Sequence, residues 1–580
     1  MTQQTTLAPE QRREQLDKRF RPWKSMTIAQ VLDAAGAAFP DRPLFITDAR
    51  TYTYGEMQRW SRQLAHGLIN LGIRPGDHVA MIVANYPEFV AAKFAVARAG
   101  AVCIPINYLF RAAELGYVLN QADAKLLITM DRYRDLDYLQ ALDELSPGWE
   151  QRGGGDTIPE LRRVVVFSPT GERRRGAMML EELPGSTSEQ ARVDLAQREA
   201  NTDPSSYSDV LYTSGTTGRP KGVLLTHDQI VRTGYAAAYQ RALEDGRRLG
   251  FPLPMYHVFG YVESLMAVLF VGGAVVPQVA FDAREMLAAV DRHRVNEIIA
   301  VPAVTMPLLA EARRGNYDLS SVHTVFSSGG AVPESFWDEI REVFGPVAIT
   351  TGYGMTETTA ATVCAMPEGD IRLLRTTLGR LRQAGAAGDA ELGGRLAVYK
   401  AVDVVSGEDL PVGEAGHLLV RGPGVTHGYY NKPEETARAF TDDGWLRTGD
   451  IGTIDADGYL RLRGRLKESF RVGGEMVMPA EIETVLGVHE GVLQAHVVGI
   501  PHARMGEVAC AWIVPTDPDN PPEPDELIEH CSAHLARFKV PRQFIVTTLE
   551  ELPVTSTGKV QKFRLSEMSQ ARLSTHQAVP

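Results

Sequence analysis

Hydroxyls, glycines and one lysine crowd the stretch YTSGTTGRPKG, Tyr212 to Gly222, an inventory suited to holding a polyphosphate. Gly215, Gly218 and Gly222 allow positive φ, so successive N–H groups can face one concavity; Thr213, Ser214, Thr216 and Thr217 add hydroxyls and Lys221 adds charge. The Walker pattern is not met, because Arg219 and Pro220 separate Gly218 from Lys221. Other polar stretches follow. PMYHVFG at 254–260 sets Tyr256 beside His257, and SSGGAVP at 327–333 is a glycine turn. GYGMTET at 352–358 combines a flat ring, a hydroxyl and a carboxylate, and WLRTGD at 445–450 ends in an aspartate suited to a sugar diol. GRLKE at 464–468 is a basic turn, and TSTGK at 555–559 isolates Lys559. Each alone is an ordinary turn composition; their order is the signal.

Short apolar runs flank the first stretch, at 208–212 and 223–225, which predicts a loop between two buried strands. From Thr27 to Thr129, helical patterns at 54–71 and 86–99 alternate with β-rich runs at 78–84, 101–106 and 126–129, predicting βα units around a largely parallel sheet. Alternation resumes from Val210 to Phe344, with a helix from His227 and strands at 297–301 and 324–328, predicting a second doubly wound sheet that includes the phosphate loop. Residues 135–205 read as a surface excursion with one strand at 164–167. Beyond Gly379, short strands at 417–422 and 459–464 suit a β-rich subdomain, and a smaller α+β unit follows. The expected organisation is α/β: a charged, partly disordered arm over 1–25, a large domain over 26–467 and a small mobile domain over 468–580.

A net charge of −12 on 580 residues argues against general nucleic-acid binding, so an anionic ligand must be held by local charge. Cys103, Cys364, Cys510 and Cys531 show no CxxC or zinc spacing. No apolar run reaches the roughly 18 residues of a membrane helix, and a soluble cytoplasmic protein is expected.

In order and spacing these motifs resemble the adenylate-forming superfamily of acyl-CoA synthetases, peptide-synthetase adenylation domains and firefly luciferase, over residues 27 to 565. The resemblance implies that a carboxylate attacks the α-phosphorus of ATP, pyrophosphate leaves, and a thiol captures the acyl-adenylate, with ATP, Mg²⁺ and coenzyme A as ligands. It implies that Thr213 to Lys221 hold the β- and γ-phosphates, Glu357 binds Mg²⁺, and Tyr353 stacks on adenine beside Gly330, Ala331 and Gly352. Asp450 would accept from the ribose, helped by Arg465; Lys559, Thr356 and His257 form the expected catalytic set. The small domain would rotate about Glu468 to exchange Lys559 for the segment carrying Arg471, Gly473 and Gly474.

No acidic residue lies between Pro254 and Gly260 to meet an amino group, and no carrier domain follows, so free CoA and a non-amino acid are favoured. Tyr256, Phe259, Gly260, Val301, Gly329, Ala360 and Ala361 frame an expected acyl pocket, small or apolar, suited to a bulky hydrophobic acid. One departure from the family pattern is an extra segment at Ala384 to Arg395, expected to be a surface loop. It keeps open an enzyme specialised for the thioester step on preformed acyl-AMP. Loading of a carrier protein, a non-catalytic acyl- or nucleotide-binding protein, and a homodimer are also left open.

Overall fold

Strand Leu126–Met130 is buried along its whole length, as expected where helices cover both faces of a parallel sheet. It lies within a seven-stranded sheet ordered Lys221–Thr226, Tyr207–Thr213, Val102–Pro105, His78–Ile82, Leu126–Met130, Arg163–Phe167, Met178–Met179. A second seven-stranded sheet is ordered Ala348–Thr350, Thr324–Ser327, Glu297–Ala300, Arg248–Phe251, Ala274–Pro277, Pro43–Ile46, Thr51–Thr53. The computed structural model describes residues 7–577 except 186–188, 214–218, 330–331, 333–334, 474, 503 and 555–559.

The two doubly wound sheets are present, but their membership differs from the linear expectation. The strands flanking the phosphate loop belong to the first sheet, and the early strand Pro43–Ile46 belongs to the second. Alternation of helix and strand specifies element type, whereas the sheet partner is chosen by distant contacts. Here Tyr207–Thr213 runs parallel to Val102–Pro105 with Asp209 opposite Cys103, and the Lys93 ammonium pairs with the Asp209 carboxylate in the dry interior.

Helices are punctuated as the sequence dictates. Thr53 opens Tyr54–Asn70 and Thr226 opens His227–Gln240, each accepting from the backbone N–H three residues on at 3.2 Å. The excursion at 135–205 is more integrated than expected: Arg163–Phe167 pairs inside the first sheet, and Trp149 and Ile158 are fully buried.

Residues 9–20, expected in a partly disordered arm, form a docked helix, Pro9–Phe20. Its charged residues are the ones that bond: Arg13 forks onto Glu368 at 2.5 and 2.9 Å, and Asp17 accepts from Tyr235 Oη and from Ala386 N–H at 2.7 Å each. The extra segment is likewise packed rather than loose. Ala384 and Ala387 are fully buried, and Arg232 donates to the Ala387 carbonyl at 2.7 Å.

A four-stranded antiparallel sheet of Val398–Val402, Gly416–Arg421, Leu446–Ile454 and Leu460–Arg465 forms the β-rich subdomain. Three short strands, Gly352–Gly354, Ala361–Cys364 and Arg380–Leu381, form a separate small sheet. The C-terminal unit is built on the long hairpin Val492–His502 and Gly506–Pro515 with helices Pro479–Leu486, Pro524–His534 and Lys562–Gln577. Among the described residues no helix is long and apolar enough to cross a membrane.

Candidate nucleotide and acid site

Thr213 and Lys221 are cross-strand partners, so the polar loop closes a hairpin. Ser214, Gly215, Thr216 and Thr217 lie outside the described residues. Gly222 is required by proximity: a Cβ there would stand 2.5 Å from Val210 Cγ1 and 3.1 Å from the Tyr212 ring. The strand is held from its other side by segment 428–430, where Tyr430 N–H donates to the Gly222 carbonyl at 2.8 Å and Leu224 N–H donates to Gly428 at 3.1 Å.

That clamp brings Tyr429 between two of the expected ligand-binding residues. The Lys221 ammonium lies 4.8 Å from the centre of the Tyr429 ring, and the Tyr429 hydroxyl donates to Glu357 at 2.9 Å. Burial raises the Glu357 carboxyl above its ordinary range, against the hydrogen bond from Tyr429 and the charges of Arg465 and Lys221. Lys467 is pulled below the usual lysine range, first by loss of water and then by the neighbouring charges of Lys221 and Arg465. Lys221 and Arg465 therefore act on the Glu357 carboxyl with Lys467 close behind them, a cluster of positive charge suited to polyphosphate. Thr356, also buried, shares the helical turn Thr356–Thr358 with Glu357 and is fixed by the turn's own bonds.

Tyr353, on the strand Gly352–Gly354, donates its hydroxyl to Asp450 at 2.6 Å, and the second Asp450 oxygen lies 3.2 Å from Arg465 Nε. Asp450 and Arg465 are direct partners across two antiparallel strands. Three separate motifs thus converge on one polar corner. Gly330 and Ala331 lie outside the described residues.

The apolar residues expected around the acid converge from the other side. The Phe259 and Phe326 rings meet edge to face at 5.2 Å, and a Cβ on Gly352 would stand 3.5 Å from both Phe326 Cζ and Ala361 Cβ. Gly329, at φ +97°, has Val301 Cγ1 3.4 Å from its Cβ position, and Ala360 is buried. Tyr256 packs edge to face on Tyr108 at 5.2 Å. Gly260 faces the chain itself, with the Pro254 carbonyl 2.5 Å from where a Cβ would lie. His257 caps a short helical turn, its Nδ1 accepting from Phe259 N–H at 3.2 Å, and burial lowers its pKa to about 4, so the ring is neutral near pH 7.

At the expected hinge, Glu468 pairs with Lys562 at 3.3 Å. Arg471 N–H donates to Glu507 at 3.1 Å, and Gly473, at φ +60°, donates its N–H to Met505 at 2.8 Å. Gly474 and Lys559 lie outside the described residues; Val554 and Val560, on either side of the lysine segment, pair as an isolated bridge. Tyr429 was not singled out from the sequence. Its available signal is the aromatic pair in the glycine turn GYYNKP.

Residues 32–430 match the family model for the AMP-binding enzymes, and residues 481–559 match the model for the AMP-binding enzyme C-terminal domain. A mitochondrial medium-chain acyl-CoA ligase of Danio rerio is 30% identical over 564 residues, spanning 95% of this chain and 90% of that one. A Mycobacterium tuberculosis CoA ligase named for a methyl-dioxo-octahydroindenyl propanoyl group is 32% identical over 543 residues, spanning 93% and 99%. The crystal structure of an anthranilate CoA ligase with anthranoyl-AMP superposes with a TM-score of 0.81 at 25% identity, covering 97% of this chain and 99% of that one. Matched along most of its length by the family model and nearly end to end by these relatives, the chain belongs to the AMP-binding enzymes, the adenylate-forming superfamily of acyl-CoA synthetases.

Proposed function

We propose that this enzyme is an ATP-dependent ligase that joins a bulky hydrophobic carboxylic acid to coenzyme A through an acyl-adenylate. The observation that carries the reading is the junction of two unlike environments. Glu357, Lys221, Arg465 and Tyr353–Asp450 make a charged corner, and Gly352 at its edge abuts the apolar group of Phe259, Phe326 and Ala361. A carboxylate with an apolar tail fits across that edge. The acids named for two of the relatives, a medium-chain acid and a fused-ring propanoate, set a carboxylate on a largely hydrocarbon body.

The acid is already ionised at neutral pH, so the first step needs neutralisation and alignment of two anions rather than a general base. Lys221 and Arg465 supply positive charge toward the leaving pyrophosphate side, and Asp450 with Tyr353 orients the nucleoside. Among the described residues no group of three or more His, Cys, Asp or Glu could hold a metal ion. Mg²⁺ bound mainly by phosphate oxygens and water needs only a carboxylate or two from the protein, and the buried Glu357 fits that role. When bound, Mg²⁺ supplies charge compensation on the phosphates. Lys559 is proposed to meet the α-phosphate and the acid, and the segment at Arg471 to Gly474 to line the thiol approach once the small domain has turned about Glu468.

The extra segment at 384–395, which kept a thioester-only enzyme open, is docked on Asp17 and Arg232, while the nucleotide corner is assembled from its expected partners. Both half-reactions are therefore proposed. A panel of carboxylic acids, assayed separately for pyrophosphate release and for CoA-ester formation, tests this: the same acids should score in both. Lys559→Ala should cut pyrophosphate exchange by about 100-fold or more. CoA ester from synthetic acyl-AMP with no pyrophosphate from ATP and any acid would overturn the reading, and preference for a carrier protein over free CoA would change the thiol.

A further inference from the structure

Two residues beyond Phe259 the chain leaves α-helical geometry for a π-helical turn, Tyr261–Met266, a local widening that often accompanies functional sites. Within it sits Glu263, 1% exposed, whose carboxylate takes a two-pronged grip from Arg382 at 2.8 and 3.0 Å. The same Oε1 accepts the backbone N–H of Ala361 at 3.0 Å. The Glu263 carbonyl accepts from Arg241, which also pairs with Glu297; Arg247 approaches Glu297 at 3.7 Å. All of these side chains are buried.

This ionic cage touches two sides of the apolar group described above. One wall is Phe259, on the same chain turn as Glu263, backed by Phe326, over whose ring the Arg241 guanidinium sits at 5.4 Å. The other is the strand beginning at Ala361, hung from the Glu263 carboxylate. Apolar side chains at the end of a pocket can shift to admit more ligand. A buried, bidentate charge pair cannot do so without stranding an uncompensated charge. Behind the pair, the void lined by Thr233, Ala361, Thr362, Arg382, Leu396 and Ala397 is about 10 Å³, at most about one water.

We propose that Glu263 and Arg382 are positioning residues that fix the closed end of the acyl pocket and thereby set the length of acid the enzyme accepts. The proposal rests on the acid site described above. It assigns the pair no contact with the reacting atoms: they act by holding Ala361 and the Phe259 turn at a set separation.

The test compares straight-chain acids of increasing length in the full ATP- and CoA-dependent reaction, with KM measured separately for acid and for ATP. In the double variant E263A/R382A, the kcat/KM ratio of the longest to the shortest acid should rise by about tenfold or more through the acid KM, because one methylene in a hydrophobic pocket is worth roughly 10- to 200-fold. KM for ATP should stay within about twofold. E263Q/R382Q, of similar volume and with an amide oxygen still able to accept from Ala361, should keep the wild-type ratio. Ala361→Val, which narrows the end and leaves the Glu263 and Arg382 side chains in place, should lower the ratio by about tenfold and serves if the alanine pair fails to fold. Phe259→Ala separates the two levels: an unchanged acid KM in that variant would show that the acid binds elsewhere. If Phe259→Ala moves the acid KM while the length ratio of E263A/R382A, or of Ala361→Val where the alanine pair does not fold, is the wild-type ratio, the closed-end assignment is wrong.

Discussion

The Tyr353 hydroxyl lies 2.6 Å from one Asp450 oxygen while Arg465 Nε stands 3.2 Å from the other, so this carboxylate is oriented from both sides before any nucleoside arrives. An ionised carboxylate has about four acceptor sites, which leaves room for two ribose hydroxyls. Tyr353→Phe keeps the ring and deletes one donor. A hydrogen bond to a charged group is worth about 1.5–3 kcal/mol, so kcat/KM for ATP should fall about tenfold or more. Steady-state kinetics with ATP varied checks this, and an unchanged value would remove the pair from nucleotide binding.

Tyr429 links Lys221 to Glu357 through its ring face and its hydroxyl. Tyr429→Phe preserves the face and deletes the hydroxyl. Outer-shell partners of a metal ligand are worth about 10- to 100-fold, so the Mg²⁺ concentration needed for half-maximal pyrophosphate release should rise by at least about that lower factor. Titration of Mg²⁺ at fixed ATP reads it directly; an identical titration curve would make Tyr429 a packing residue only.

Burial places the Glu357 carboxyl above its ordinary range, so the charged form is costly in the empty protein. The folded state holds this proton more tightly than the unfolded chain does, and the stability it contributes is lost as pH rises from about 4.3 through the raised value. Glu357→Gln should therefore melt higher than the wild type at pH 7 without ligands, with the gap closing in acid, while pyrophosphate release falls about 100-fold or more. A variant that melts lower at pH 7 would contradict the assignment of strain to this carboxyl.

Three histidines, His227 buried and His257 and His496 half-buried, set an opposite pH dependence. Burial lowers His227 to about 3 and His257 and His496 to about 4, from an ordinary 6.5. The unfolded chain protonates first, so stability present above pH 6.5 is lost as pH falls toward 4, by about 1.4 kcal/mol per pH unit for each histidine. Melting curves between pH 7 and pH 5 should show that fall, and His227→Gln, which leaves an acceptor near the Ile28 N–H, should flatten it. Equal slopes in both proteins would contradict it.

Tyr353, Glu357 and Asp450 could be picked out as strings because each lies in a short motif whose composition is odd for a core and costly for a surface. The two-sheet architecture was legible for a similar reason: apolar runs such as Leu126–Met130 alternate with helical periods. Sheet membership was not, since it depends on contacts such as Lys93 with Asp209, 116 positions apart, where neither residue announces burial. The helix Pro9–Phe20 misled in the same way, because Arg13 and Asp17 look like a solvated face until their partners, Glu368 and Ala386, are placed. Glu263 and Arg382, 119 positions apart, are legible only as a pair.

The interleaving of the two sheets has a temporal side. Phe45 pairs in register with Val275, so on a ribosome the strand Pro43–Ile46 emerges roughly 230 residues before its partner. At about 5–20 residues per second that is on the order of 10–50 s, during which Leu44, Phe45 and Ile46 have only the short strand Thr51–Thr53 to pair with. The first sheet must be spun out in between. Nascent chains of this enzyme arrested between residues 60 and 250 should therefore display that short apolar strand to chaperones, and cutting the large domain into consecutive halves should leave the second half without an edge that it cannot make for itself.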